Sequence, residues 1–157
     1  MRSIVLAFSL LVSGAVAAGE LRPFVVGSMA QIEAEHKGQP FVLLFWSLTC
    51  AYCPTELKML AALKQKNPAL NLVLVATDTP DESLEIKQRL THYGLDKVEQ
   101  WVFADAMQER LRFEIDRRWY GEVPRTYFYD RAQQREMKMG LVERSFVENW
   151  LERITQP

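Results

Sequence analysis

Six consecutive apolar residues, Phe41-Val42-Leu43-Leu44-Phe45-Trp46, are followed within a few positions by a cysteine pair, Cys50 and Cys53. This handover constrains the fold more than any other stretch. The run is too short to span a membrane, and its Phe and Val content suits a strand buried on both faces. Leu57, Leu60 and Leu63 then recur at helical spacing, which predicts a helix to about Lys66, where Asn67-Pro68 ends it. The cysteines therefore sit where a buried strand passes into a helix.

That position has chemical consequences. The first turn of a helix carries unpaired N–H groups and the positive end of the dipole. A thiolate there is stabilised, so the pKa of Cys50 is expected below that of a free thiol, with Cys53 the less exposed partner. Two thiols this close join in a small ring, form a mixed disulfide with another protein and resolve it. Pro54 adds a local conflict: it biases Cys53 away from the helical region just where the helix begins, and such conflicts gather at functional sites.

Residues 1–18 read as a signal peptide ahead of a single domain, residues 19–157. Arg2 is a minimal positive region, Ile4 to Val12 an apolar one, and Ala15-Val16-Ala17 offers a small-residue cleavage site. An uncleaved anchor or a buried N-terminal helix is the rival reading. Export places the chain in the periplasm, where a cysteine pair is free to form a structural disulfide. A bond closing only four residues removes little chain entropy, however, so redox chemistry is favoured over stapling. Net charge is −1, from 19 basic and 20 acidic residues, and gives no electrostatic basis for nucleic-acid binding.

The remaining pattern alternates. Phe24 to Val26 reads as a short strand, and Ser28 to Gly38 as a helix opened by a capping box at Ser28. Leu72 to Ala76 is a second buried strand. Thr79-Pro80-Asp81-Glu82 starts a helix whose buried stripe is Ile86, Leu90 and Tyr93. Trp101 to Phe103 is a strand, and Asp105 opens a helix with Met107, Leu111 and Ile115 on one face. After a loop from Arg118 to Pro124, Thr126 to Tyr129 and Glu136 to Met139 form an antiparallel hairpin. Ser145 caps a last helix with Val147, Trp150, Leu151 and Ile154 on its face. His36 and His92 read as solvated. The fold class is α/β, a central mixed sheet flanked by helices, with the cysteines at the C-terminal end of a central strand, where open α/β sheets place their sites.

A strand ending in Trp46-x-x-x-Cys50-x-x-Cys53, with Val123-Pro124 opening a later strand, resembles the thioredoxin fold. Pro124, Thr126 and Asp130 stand in a P-x-T-x-x-x-D pattern like that of the exported TlpA, ResA and cytochrome c maturation branch. Between Thr77 and Pro124 lie two predicted helices and a short strand, similar to the extra strand and helix of that branch.

The resemblance implies that Cys50 is the attacking thiolate and Cys53 the resolving thiol, with no cofactor beyond their disulfide. It also implies that Pro124 is a cis-proline facing the pair, that Val123 pairs with an incoming substrate chain, and that Glu56 is a buried acid taking the Cys53 proton. The thioredoxin aspartate, six positions before the first cysteine, is replaced by Leu44. Trp46 is assigned to packing beneath the site, and Tyr52 and Thr49 to the docking face. Thr49, Tyr52 and Pro54 depart from the branch, and the first two look more like exported disulfide isomerases. The implied partners are exported protein thiols or disulfides and a membrane electron donor, with the chain a monomer.

The leading expectation is a periplasmic reductase of exported proteins, of the cytochrome c or copper-site maturation type. Two alternatives stay open beside it: a disulfide oxidant or isomerase, and a Cu(I) metallochaperone using both thiolates. A binding module with an inert disulfide is a third. No metal site is assigned.

Overall fold

The computed structural model describes residues 19–155, and the expected signal peptide lies outside the described residues. In chain order the elements are β1 (Leu21–Phe24), α1 (Ser28–Glu35), β2 (Phe41–Trp46), α2 (Cys53–Lys66), β3 (Asn71–Ala76), α3 (Ser83–His92), β4 (Glu99–Phe103), α4 (Gln108–Ile115), β5 (Arg125–Tyr129), β6 (Arg135–Met139) and α5 (Arg144–Thr155). A 3-10 turn, Pro80–Glu82, precedes α3.

The strands form one sheet in the order β1-β4-β3-β2-β5-β6. β1, β4, β3 and β2 run parallel, and β5 and β6 return antiparallel as the expected hairpin. β2 is central and all six of its residues are buried. Side chains alternate across the sheet. Val42, Leu44 and Trp46 meet Leu57, Leu60, Ile86, Leu90, Val147 and Trp150 on the side of α2, α3 and α5. Phe41, Leu43 and Phe45 meet Ile32, Leu111 and Ile115 on the side of α1 and α4. Each fully buried Leu or Phe contributes about 1.5–3 kcal/mol, so β2 is the anchor of both layers.

The Thr79 cap forms as expected: Glu82 and Thr79 satisfy each other's backbone in a capping box. Four expectations are corrected. The first strand is Leu21–Phe24 rather than 24–26, because its register against β4 puts Phe24 on Phe103, with ring centroids 5.3 Å apart, while Val25 and Val26 are exposed. Gly27, at φ 92°, takes the N-cap of α1, and Ser28 Oγ instead accepts the Val25 N–H. α4 starts at Gln108; Asp105 accepts the Met107 N–H and Met107 stays exposed, so only Leu111 and Ile115 of the expected face are buried. His36 is not solvated. Its Nε2 lies 2.9 Å from Glu99 and its ring stacks on Phe41. His92 is exposed as expected.

Candidate active site

β2 delivers the chain to the end of the sheet at Trp46, and α2 begins at Cys53, so the segment between them is surface turn. Cys50 and Cys53 are joined as a disulfide with Cα atoms 5.4 Å apart. The two sulfurs are not equivalent. Cys53 is fully buried in the layer of α2 and Trp46, whereas Cys50 only packs against that layer from its edge. The Cys53 N–H, an unpaired donor at the first position of α2, points at Cys50 Sγ from 3.0 Å.

The opposite wall is the start of β5. The Val123–Pro124 peptide is cis, and Cys50 Sγ lies 3.5 Å from the Val123 carbonyl oxygen. Pro124 is buried and Val123 half-buried, against both layers. The Val123 segment is anchored from behind: Trp119 Nε1 donates to the Glu122 carbonyl at 2.9 Å, and Arg125, fully buried, bonds Tyr127 Oη and pairs with Asp116.

Glu56 lies one helical turn past Cys53 and is almost fully buried. Burial pushes its carboxyl above the usual range, and two hydrogen bonds oppose that shift: the Val142 N–H at 3.1 Å and the Thr126 hydroxyl at 3.4 Å. Neither partner carries a charge. Trp46 is buried beside Cys53, and its Nε1 has no hydrogen-bond partner among the described residues.

Cys50, Cys53, Val123, Pro124, Glu56 and Trp46 are thus brought to one end of the sheet. Thr49 and Tyr52 lie on the solvent side of the pair. Among the described residues Thr49 bonds only Ser47, and Tyr52 stands at the N-cap of α2 with 63% of its surface exposed. Sequence reasoning missed Asp78, whose carboxylate braces the Ser47-Leu48 turn, the buried Arg125 next to Pro124, and Tyr120, which is 86% exposed in the loop before Pro124. Only Asp78 left a signal, an acid two residues past a fully apolar strand. Among the described residues no group of three or more His, Cys, Asp or Glu side chains is placed to hold a metal ion.

A family model described as the AhpC/TSA family matches residues 27–137. No curated protein matches the chain. Solved structures share its fold. One is a secreted Mycobacterium tuberculosis disulfide oxidoreductase homologous to E. coli DsbE, 20% identical, covering 76% of this chain and 85% of that one at a TM-score of 0.59. A thioredoxin-family thiol:disulfide interchange protein from Chlorobium tepidum is 13% identical, covering 78% and 83% at 0.61. A thio-disulfide isomerase from Thermus thermophilus is 17% identical, covering 75% and 80% at 0.56. The mixed sheet with helices on both faces is a thioredoxin-like fold.

Proposed function

The chain belongs to the AhpC/TSA family, and from that membership and the asymmetry of its cysteine pair we propose a thiol-disulfide oxidoreductase that reduces disulfides of exported proteins. The observation that carries the reading is the placement of Cys50. Its sulfur lies at the edge of the core, receives a helix-terminal N–H, and sits 3.5 Å from the Val123 carbonyl oxygen, while its partner is buried.

In the reduced protein the Cys50 thiolate attacks one sulfur of a substrate disulfide. A mixed disulfide forms and the first substrate thiolate leaves. Glu56 takes the Cys53 proton as that sulfur attacks Cys50 Sγ, and the second substrate thiolate leaves as the Cys50–Cys53 bond closes. Two electrons pass from the dithiol to the substrate. Val123 offers its backbone to an extended substrate segment, as an edge strand does. Exposed Tyr52 and Tyr120, with Thr49, form the surface around that contact.

A membrane thiol-disulfide partner would return the two electrons, and apocytochromes or copper-site proteins are the candidate acceptors. The apolar Ile4 to Val12 stretch and the small residues after it support export to the periplasm. Likeness to a protein described as secreted points the same way.

The test is a trap. Cys53→Ser should hold a mixed disulfide with a protein substrate through Cys50, and Cys50→Ser should not; absence of any trapped species with Cys53→Ser would sink the reading. The reduction potential then gives the direction. A value of about −270 mV or lower fits a reductase, and one near −120 mV recasts the protein as an oxidant or isomerase.

A further inference from the structure

We propose that Asp78 is a positioning residue for Cys50, its carboxylate holding the Ser47–Thr49 turn and, through that turn, setting the reactivity of the Cys50 sulfur. The proposal rests on the reading that Cys50 is the attacking thiolate.

Asp78 comes from the neighbouring strand. β3 ends at Ala76, opposite Trp46 at the end of β2, and the Thr77 N–H and hydroxyl both donate to the Trp46 carbonyl, at 2.8 and 3.3 Å. The next residue but one therefore runs alongside the turn that leads to Cys50. Asp78 is only 8% exposed. Its Oδ1 accepts the Ser47 hydroxyl at 2.8 Å, and the Leu48 N–H reaches both carboxylate oxygens, at 3.0 and 3.2 Å.

These contacts fix the polarity of the turn. Every one of these contacts comes from a donor, the arrangement that suits an ionised, acceptor-only carboxylate. Ser47 then spends its single proton on Asp78, so the Thr49 hydroxyl donates to Ser47 Oγ at 3.1 Å, beside the Thr49 N–H at 3.2 Å. Ser47 has one proton and two lone pairs, and all three are used. Its carbonyl in turn accepts the Cys50 N–H at 3.3 Å. One continuous set of hydrogen bonds runs from the Asp78 carboxylate to the backbone of Cys50.

The charge matters as well as the bracing. Among the described residues Asp78 has no cationic partner, and nearby Glu82 adds repulsion to the burial that already lifts its carboxyl. An uncompensated buried anion is costly to keep. Placed behind the turn, it opposes the thiolate-stabilising effect of the α2 N-terminus. A thiol made too acidic loses nucleophilicity and yields a more oxidising disulfide, so this opposition suits a pair that gives electrons away.

The experiment uses the full chain with Asp78→Asn and Ser47→Ala. Insulin reduction by the wild type is measured first; its failure retires the exchange reading and leaves the thiol measurements below intact. For Asp78→Asn, alkylation of Cys50 against pH should titrate at lower pH than in the wild type. Its equilibrium with glutathione should shift at least about threefold toward the dithiol. Ser47→Ala keeps the charge, so its titration should stay near that of the wild type while insulin reduction falls roughly threefold with the loosened turn. An Asp78→Asn protein whose Cys50 titration and glutathione equilibrium match the wild type overturns the proposal, whatever its melting temperature. If Asp78→Asn does not fold, undiminished insulin reduction by Ser47→Ala overturns it instead.

Discussion

β5 turns two adjacent side chains, Arg125 and Thr126, to opposite faces of the sheet, and each face holds a buried ionisable group of a different kind. Thr126 faces the layer of α2 and α5, which is mostly aliphatic, and there bonds Glu56. Arg125 faces the aromatic layer with Phe45, Trp119 and Tyr127. Arg125 has its charge balanced: Asp116 pairs with it, Tyr127 Oη accepts its Nε, and the Trp119 and Tyr127 rings lie within 5.4 Å of the guanidinium. Among the described residues Glu56 has two neutral donors and no cation. A buried charge paired with an opposite charge serves as frame. Burial lifts the Glu56 carboxyl above the ordinary range, and a lifted carboxyl one turn from Cys53 is placed to take a proton.

If that contrast is right, the largest stability effect lies on the aromatic face. Arg125→Ala should cost about 3–5 kcal/mol, by opening a cavity among the aromatic rings and breaking a mostly buried pair. Urea unfolding measures it. Arg125→Lys should recover only part, because an ammonium lacks the planar fork that spans Asp116 and Tyr127. Asp116 should stay ionised to lower pH than an ordinary aspartate in the wild type, since the Arg118 N–H and then Arg125 hold its carboxyl down. A loss under about 1 kcal/mol in Arg125→Ala would erase the distinction between the two faces.

Glu56→Gln should behave in the opposite way, with small loss of stability and large loss of rate. The amide fits the same place, accepting the Val142 N–H and donating to Thr126 Oγ1. Without a proton acceptor, closure of the Cys50–Cys53 bond should slow by roughly tenfold to a hundredfold, read by stopped-flow mixing of the dithiol with a disulfide substrate. Stability should also part from the wild type with pH. Because burial raises the Glu56 carboxyl, the folded wild type keeps a proton that the unfolded chain has already released. Its stability therefore falls as pH rises from the ordinary glutamate value through the raised one. Glu56→Gln lacks this slope, so the variant gains on the wild type across that window. Parallel stability curves would show that Glu56 does not titrate there.

These two charges were not equally legible in the sequence. Glu56 was named through the resemblance to the exported branch, by its place three residues after Cys53. The frame around it was legible from the residues themselves: β2 and α2 are local patterns of period and composition, and the hairpin needs only a few residues between its strands. Arg125 reads as an ordinary charge in a strand, and nothing nearby announces that Asp116, nine residues earlier and past the end of α4, turns back to meet it. Asp78 left a trace as an acid just past an apolar strand, but its partners lie some thirty residues earlier and are adjacent only through the register of β2 against β3. The same dependence on register moved β1 to Leu21–Phe24, and tertiary pairing with Glu99 removed His36 from solvent. Local pattern sets the elements; the supply of partners to a buried charge is decided between them.

The smallest expected effect probes the junction between the faces. Thr126→Val removes the longer of the two hydrogen bonds to Glu56 while keeping the shape of the side chain, and should cost under about 1 kcal/mol at neutral pH. Its informative consequence is on titration. The hydroxyl favours the carboxylate, so its loss leaves burial less opposed and lifts the Glu56 carboxyl further. The pH profile of bond closure should then move to higher pH, with Arg125 and Asp116 undisturbed on the far face. In a Glu56→Gln background the same substitution should leave the profile where it is, because no carboxyl remains to be shifted. A shift that persists in that background would mean the profile belongs to another group, and Glu56 would join Arg125 as part of the frame.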